Sequence, residues 1–112
     1  MNRLYGLIGF PLGHSFSARY FTEKFQRENL SGYEYRNFPL ESIRELPAML
    51  ENHPGLLGFN VTIPYKQEVI PFLTALSAEA REIGAVNCVK ITPQGLYGHN
   101  TDAYGFRKSL LG

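Results

Sequence analysis

The stretch GFNVTIPYK, residues 58–66, combines a buried strand with polar groups that strand formation does not require. Asn60 and Thr62 interrupt the apolar run, Pro64 ends it, and Lys66 follows directly. Residues two apart along a strand point to the same face of a sheet, so Asn60 and Thr62 are predicted to share one face. This combination indicates that the strand ends at the edge of a small-molecule site.

Strand and helix patterns alternate on both sides of this stretch. Strands are predicted over residues 4–8, 33–38 and 56–62, and a hairpin over 86–91 and 96–99 turns at 93–95. Helices are predicted from Ser15 or Ser17 to about Leu30, from Pro47, over 64–72, over 77–83 before Gly84, and after Thr101 as N-cap. The alternation predicts an α/β fold, a three-layer domain with a mainly parallel sheet plus an antiparallel strand from the C-terminal hairpin.

The composition is that of one domain without a nucleic-acid or membrane function. The chain has 112 residues, 44% of them hydrophobic, and a formal net charge of +1, so residues 1–112 are expected to form one domain. The sequence has neither a basic patch for nucleic acid nor an apolar segment long enough to span a bilayer. The single cysteine, Cys88, and a start that leads straight into a strand predict a cytoplasmic protein without a signal peptide.

Motifs for metal and dinucleotide binding are missing from the sequence. His14, His53 and His99 show no metal-ligand spacing with one another or with Cys88, so no metal site is expected. No G-x-G-x-x-G pattern occurs, so no cofactor-binding residue is predicted in this chain. Cys88 is interpreted as a small buried strand residue.

Polar side chains are predicted to gather where the parallel strands end, because α/β domains bind ligands there. The loop after the first strand carries Ser15 and Ser17, and the loop after the third carries Lys66. Two hydroxyls at the start of a helix suit a carboxylate, although one of them alone would be explained as the helix N-cap.

Two further motifs add an amide and a carboxylate. Asn87 follows Gly84 at the start of a strand, and Asp102 lies at the start of the last helix. Taken singly, Lys66 is typical of a surface charge and Asp102 of a residue that compensates a helix dipole. Taken together, an ammonium and a carboxylate beside hydroxyls and amides suit proton transfer to and from a hydroxyl of a polyol, with Asp102 keeping Lys66 charged.

The four motifs together resemble a known family. IGFPLGHSFS (8–17), GFNVTIPYK (58–66), GAVN (84–87) and GHNTDAYGF (98–106) occur in the order and spacing of the N-terminal, substrate-binding domain of shikimate dehydrogenase. The resemblance implies that residues 1–112 are this domain and that NADP is bound by a following Rossmann domain. The implied reaction is the NADPH-dependent reduction of 3-dehydroshikimate to shikimate, a step towards aromatic amino acids, and residues 1–112 alone are expected to be inactive.

The resemblance also implies roles for individual residues. Ser15 and Ser17 would hold the substrate carboxylate, and Lys66 and Asp102 would form the catalytic pair. Thr62, Asn87 and Asp102 would bind ring hydroxyls, and Asn60 would line the site. The full implied substrate-binding set is Ser15, Ser17, Asn60, Thr62, Lys66, Asn87 and Asp102.

Two alternatives remain open at the level of the sequence. A quinate/shikimate dehydrogenase would differ in substrate and cofactor choice, and the two serines at Ser15 and Ser17 favour shikimate. A non-catalytic module that binds a small hydroxy acid would be favoured by loss of Lys66 or Asp102, and both are present. Ala18 stands where the family commonly has proline, and little functional effect is expected because proline there only pre-sets the helix.

Overall fold

A mixed six-stranded sheet forms the centre of the computed structural model, which describes residues 3–12, Glu23, Arg27 and residues 32–101. Its strands are β1 (Arg3–Gly9), β2 (Tyr33–Pro39), β3 (Leu56–Val61), β4 (Ala75–Leu76), β5 (Cys88–Thr92) and β6 (Gly95–His99). Across this part of the chain the strand order is β2-β1-β3-β5-β6-β4. β1 is parallel to β2 and β3, and β4 is parallel to β6, whereas β5 is antiparallel to β3 and β6. This arrangement confirms the predicted α/β fold with its mainly parallel sheet and antiparallel hairpin.

Short helices connect the strands within the described residues. They are the 3-10 helix Ile43–Glu45, α1 (Leu46–Asn52), the 3-10 helix Ile70–Phe72 and α2 (Ala78–Ile83). Ser77 caps the start of α2, where its Oγ accepts a hydrogen bond from the N–H of Ala80 at 3.2 Å. Gly84 ends α2 with a φ of 77°, a left-handed conformation that favours glycine. The predicted helix over 77–83, with Gly84 at its end, is therefore confirmed.

Several predicted boundaries differ from the structure. The helical turn predicted over residues 64–72 is present as a single α-turn, in which the N–H of Val69 donates to the carbonyl of Tyr65 at 3.0 Å, followed by the 3-10 helix Ile70–Phe72. It does not extend into a regular helix, and one reason is that the carbonyl of Lys66 is bonded to the N–H of Val86 at 2.7 Å. The same bond explains why β5 begins at Cys88, two residues later than predicted. Pro47 is the second residue of α1, since the helix already includes Leu46.

Two predicted helices lie largely outside the described residues. Of the helix predicted from Ser15 or Ser17 to about Leu30, the structure describes Glu23 and Arg27, and both are helical. Thr101 is also helical, so the N-cap precedes it and the prediction of Thr101 as the N-cap is wrong by one residue.

The hydrophobic core lies against one face of the sheet. Phe59 is in register with Gly6 and with Val89, and Val61 is in register with Ile8, so these apolar side chains share a face. Both α-helices and the segment before α2 contribute to the same cluster. Its buried members include Ile8, Leu46, Met49, Phe59, Val61, Val69, Ala80, Val86 and Val89. Each fully buried aliphatic side chain stabilises the fold by about 1.5–3 kcal/mol, which gives the strand ends a rigid base.

Candidate functional site at the carboxyl ends of the strands

The carboxyl ends of β1 and β3 lie side by side. The N–H of Thr62 donates to the carbonyl of Ile8 at 3.0 Å, and the N–H of Phe10 donates to the carbonyl of Ile63 at 3.2 Å. These bonds extend the parallel pairing beyond both strands. The segments that lead towards Ser15 and towards Lys66 therefore leave the sheet at the same edge, as the connectivity predicts.

Thr62 packs directly against the backbone of Gly9. A Cβ on Gly9 would lie 2.5 Å from Cγ2 of Thr62 and 3.0 Å from the carbonyl oxygen of Ile63. The first distance is too short for two carbon atoms in van der Waals contact, so the approach depends on glycine. Thr62 is half-buried there, and its methyl group is held against the end of β1.

Asn60 lies on the same face of the sheet as Thr62. Asn60 is in register with Leu7, and Gly9, which meets Thr62, is two residues further along β1. The prediction that Asn60 and Thr62 share a face is therefore confirmed. Nδ2 of Asn60 donates a hydrogen bond of 2.9 Å to the hydroxyl of Tyr35, so part of this amide is used by the fold itself.

Backbone hydrogen bonds bring Lys66 and Asn87 to this edge. The carbonyl of Lys66 accepts from Val86, the residue before Asn87. The carbonyl of Asn87 accepts from the N–H of Val61 at 2.9 Å, and its own N–H donates to the carbonyl of His99 at 3.0 Å. Asn87 thus lies between the ends of β3 and β6, with half-buried Lys66 held beside it through the chain.

The side chain of Asn87 is paired with Thr101. Oδ1 of Asn87 accepts from the backbone N–H of Thr101 at 3.0 Å, and Nδ2 of Asn87 donates to Oγ1 of Thr101 at 3.0 Å. The neighbouring Asn100 is buried, and its Nδ2 donates to the carbonyl of Ala85 at 3.1 Å. The segment that immediately precedes Asp102 is therefore tied to the segment that contains Asn87.

Three of the predicted site residues, Ser15, Ser17 and Asp102, lie outside the described residues. The structure brings together the other four, which are Asn60, Thr62, Lys66 and Asn87. Two residues that the sequence did not single out as site residues, Tyr35 and Gly9, hold Asn60 and Thr62 in place. Their roles have no local sequence signal, because each acts on a partner more than twenty residues away.

A hollow on the face of the sheet opposite the core is distinct from this edge. Its described lining includes Tyr5, Tyr35, Leu57, Cys88 and Ile91, and of the four described site residues only Asn60 borders it. Burial raises the pKa of the half-buried Cys88 thiol, which favours the neutral thiol and supports its interpretation as a strand residue. The hydroxyl and amide groups suited to a polyol lie at the strand ends, so the candidate site is placed there.

Two other kinds of site have no basis in residues 3–12, Glu23, Arg27 and 32–101. Within them no group of three His, Cys, Asp or Glu side chains is arranged to hold a metal ion. None of the helices in this part of the chain is long and apolar enough to cross a membrane.

Comparison with known proteins links the chain to a family. A family model described as the shikimate dehydrogenase substrate binding domain matches residues 7–89. A shikimate dehydrogenase (NADP(+)) from Clostridium perfringens is 40% identical in an alignment that covers 96% of this chain and 40% of the relative. The chain thus spans about two fifths of the length of the curated relatives that it matches.

Solved structures agree with the sequence relatives. Shikimate 5-dehydrogenase from Thermus thermophilus, in complex with shikimate, aligns with a TM-score of 0.83 and 32% identity over 98% of this chain and 42% of that one. The ligand-free 5-ketofructose reductase of a Gluconobacter strain aligns with a TM-score of 0.85 and 30% identity over 98% of this chain and 40% of that one.

Proposed function

This chain belongs to the family of shikimate dehydrogenase substrate-binding domains, and on that basis we propose that it binds the substrate of an enzyme that reduces 3-dehydroshikimate to shikimate. Residues 1–112 form the substrate-binding domain in this proposal, and the rest of the enzyme supplies the cofactor. The product belongs to the route to aromatic amino acids, and we place the enzyme in the cytoplasm.

The observation that carries the proposal is the set of bonds around Asn87. They join the end of β3, the segment of Lys66 and the residue before Asp102 at one edge of the sheet. The edge therefore brings the amide of Asn87, the residue Thr62 and the backbone of Lys66 together, and we propose that the Thr62 hydroxyl and the Lys66 ammonium also face the ligand. Such groups suit a ligand that is a small acid with several hydroxyls, because each hydroxyl needs both a donor and an acceptor.

Lys66 and Asp102 form the proposed catalytic pair. Reduction of a ring carbonyl develops negative charge on its oxygen, and a positioned ammonium stabilises that charge and supplies the proton. Asp102 is proposed as the carboxylate partner that orients Lys66. Thr62, Asn87 and Asp102 bind ring hydroxyls, Asn60 lines the site, and Ser15 and Ser17 hold the carboxylate of the substrate.

NADP, the cofactor named for the curated relatives, does not fit the described residues. A dinucleotide site needs a glycine-rich turn whose backbone N–H groups face the phosphates. Here β1 and β3 are followed by Phe10–Pro11 and Ile63–Pro64, and proline has no N–H to donate. We therefore assign NADP to a domain outside residues 1–112.

A second candidate substrate comes from the 5-ketofructose reductase, whose fold is at least as similar as that of the shikimate enzyme. Its name shows that this architecture also serves the reduction of a ketone in a polyhydroxylated chain. The two candidate substrates differ in their carboxylate. Shikimate has one for Ser15 and Ser17 to hold, whereas 5-ketofructose has none.

Titration of the ¹⁵N-labelled chain with shikimate tests the proposal. We expect the amide signals of Ser15, Ser17, Thr62 and Asn87 to shift together, with weak affinity because the cofactor domain is missing. Thr92, the last residue of β5 before the hairpin turn, is the internal control. Shifts confined to the hairpin, or a stronger response to 5-ketofructose than to shikimate, would contradict the assignment.

A second measurement concerns the missing cofactor site. The purified chain, mixed with NADPH and 3-dehydroshikimate, should leave the absorbance of NADPH unchanged. Measurable oxidation of NADPH would mean that this chain binds the dinucleotide after all.

A further inference from the structure

The contact between Asn87 and Thr101 involves both polar atoms of the amide. The backbone N–H of Thr101 lies 3.0 Å from Oδ1 of Asn87, and Oγ1 of Thr101 lies 3.0 Å from Nδ2. Oγ1 of Thr101 also lies 3.3 Å from Oδ1. Two contacts to opposite ends of one amide hold it more firmly than a single bond, because rotation about the side chain breaks both.

This pairing fixes which end of the amide is the oxygen. A backbone N–H can only donate, so the Asn87 atom that faces it must be the acceptor Oδ1. Nδ2 is then forced to the side of the Thr101 hydroxyl, which accepts its proton. The flipped amide would place two N–H donors against the backbone N–H of Thr101 and lose that hydrogen bond.

Part of the amide remains available after this pairing. An asparagine side chain carries two N–H donors and an acceptor oxygen with two lone pairs. Oδ1 of Asn87 accepts from the N–H and from the hydroxyl of Thr101, and Nδ2 donates one hydrogen bond to that hydroxyl, which leaves the second N–H of Nδ2 for a ligand. The oxygen of a ligand hydroxyl accepts hydrogen bonds, so a fixed N–H donor at this edge suits it.

The main chain of Asn87 is fixed as well. Its N–H and carbonyl are bonded to His99 of β6 and Val61 of β3, so the side chain starts from an immobile position. Rotation of the amide is the freedom that these main-chain bonds leave, and the contact with Thr101 removes it. Holding a binding group in its bound geometry improves affinity because less ordering is needed when the ligand arrives.

We infer that Thr101 is a positioning residue, which sets the amide of Asn87 in the one orientation that binds a ring hydroxyl of the substrate. The inference rests on the proposed function, because it assigns the binding role to Asn87. Thr101 itself acts through Asn87 and is not assigned a contact with the substrate. Its hydroxyl and its backbone N–H are the two groups required.

The test is a double-mutant cycle on the affinity for shikimate, measured by NMR titration of the chain. Thr101→Val keeps the shape and the backbone N–H but removes Oγ1, and we expect it to weaken shikimate binding by about fivefold to tenfold, the usual effect of one hydrogen bond. Thr101→Ser restores the hydroxyl and should bind within about twofold of the wild type. In the Asn87→Ala background, Thr101→Val should have no further effect, because the group through which it acts is gone.

Thr92→Val is the matched control, since it removes a hydroxyl beside the hairpin turn and should leave the affinity unchanged. Equal affinity of Thr101→Val and wild type would overturn the inference while leaving the proposed function intact. Additive losses in the double variant would also overturn it, because they would show that Thr101 acts independently of Asn87. Failure of the wild-type chain to bind shikimate would instead refute the proposed function, and the inference with it.

Side-chain amide signals give a second measurement that needs no ligand. The two Nδ2 protons of Asn87 should exchange with solvent more slowly in the wild type and in Thr101→Ser than in Thr101→Val. Equal exchange in all three would show that Thr101 does not hold the amide.

Discussion

Asn60 donates a hydrogen bond of 2.9 Å to the hydroxyl of Tyr35, a residue 25 positions earlier on β2. β1 lies between the two strands, so this bond reaches across a strand on the face of the sheet opposite the core. Tyr35 is buried, and Asn60 is half-buried. The bond fixes the amide of Asn60 just below the edge where Thr62 and Lys66 follow.

Replacement of Tyr35 by phenylalanine should destabilise the fold at neutral pH. The change leaves Nδ2 of Asn60 without its acceptor in a partly buried position, at a cost of about 1–3 kcal/mol. Urea unfolding measures the difference. Tyr33→Phe, which removes a hydroxyl from an exposed hydrogen bond with Arg3, is the control and should cost much less. Equal losses of unfolding free energy in the two variants would mean that burial of the Asn60 hydrogen bond does not add to stability.

At alkaline pH the unfolding free energy of the wild type should depend more strongly on pH than that of Tyr35→Phe. Burial raises the pKa of Tyr35 above its usual value of 10.0, with the hydrogen bond from Asn60 opposing this rise. The unfolded chain then loses the proton at a lower pH than the folded chain does. The stabilisation is therefore fully present below the unfolded pKa and decreases as the pH rises through the folded pKa. From about pH 9 to about pH 11 the wild type should lose more of its unfolding free energy than Tyr35→Phe. Parallel pH profiles for the two proteins would contradict this.

Substitution of Gly9 by alanine should displace Thr62. The added Cβ would lie 2.5 Å from Cγ2 of Thr62, so one of the two strand ends has to move. Overpacking of this kind costs about 1–3 kcal/mol, and the shift of Thr62 should also weaken shikimate binding. Gly55→Ala is the control, because a Cβ there meets nothing within 4 Å. A Gly9→Ala protein with wild-type stability and affinity would show that the contact is easily relieved.

Lys66→Ala should reduce kcat in an enzyme that joins this chain to its cofactor domain. The ammonium acts on charge that develops in the transition state, so its removal should lower kcat by about a hundredfold or more and leave KM almost unchanged. Steady-state kinetics measure both constants. A normal kcat with a raised KM would identify Lys66 as a binding residue instead.

Ser15→Ala should show the opposite pattern in the same enzyme. The substrate carboxylate is remote from the reacting carbon, so its contact is similar in the ground state and the transition state, and loss of the contact should mainly raise KM. Asp102→Ala should change both constants, since Asp102 is proposed both to bind a ring hydroxyl and to orient Lys66. A fall in kcat alone for Ser15→Ala would contradict the carboxylate assignment.

The fold was predictable from the sequence where local patterns decide it. β3, the hairpin and the helix that ends at Gly84 follow from alternation, turn residues and a glycine in the left-handed conformation. β4 was not predicted, because two residues carry no pattern. It exists through its parallel pairing with β6, supported by bonds such as that from the N–H of Ser77 to the carbonyl of Gly98 at 2.8 Å.

The convergence of candidate site residues at one edge of the sheet was predictable, whereas their contacts were predictable only in part, and their functional roles stay predictions. Polar residues at strand ends indicated Thr62, Lys66 and Asn87, because parallel strands end at a common edge. The partners of these residues were not predictable, since the contact of Asn87 with Thr101 spans 14 positions and depends on how β5 and β6 pair. Local sequence patterns do not predict such long-range pairings.

Because Asn87 lies between β3 and β6, the geometry of the candidate site depends on the pairing of both strands. The carbonyl and N–H of Asn87 form hydrogen bonds with both strands, so the hairpin cannot separate from β3 without disrupting the candidate site. Local fluctuations that leave Asn87 in place keep the site intact, whereas the opening that destroys it is the cooperative opening of the sheet. We therefore expect a ligand bound to Asn87 to slow hydrogen exchange in both β3 and β6.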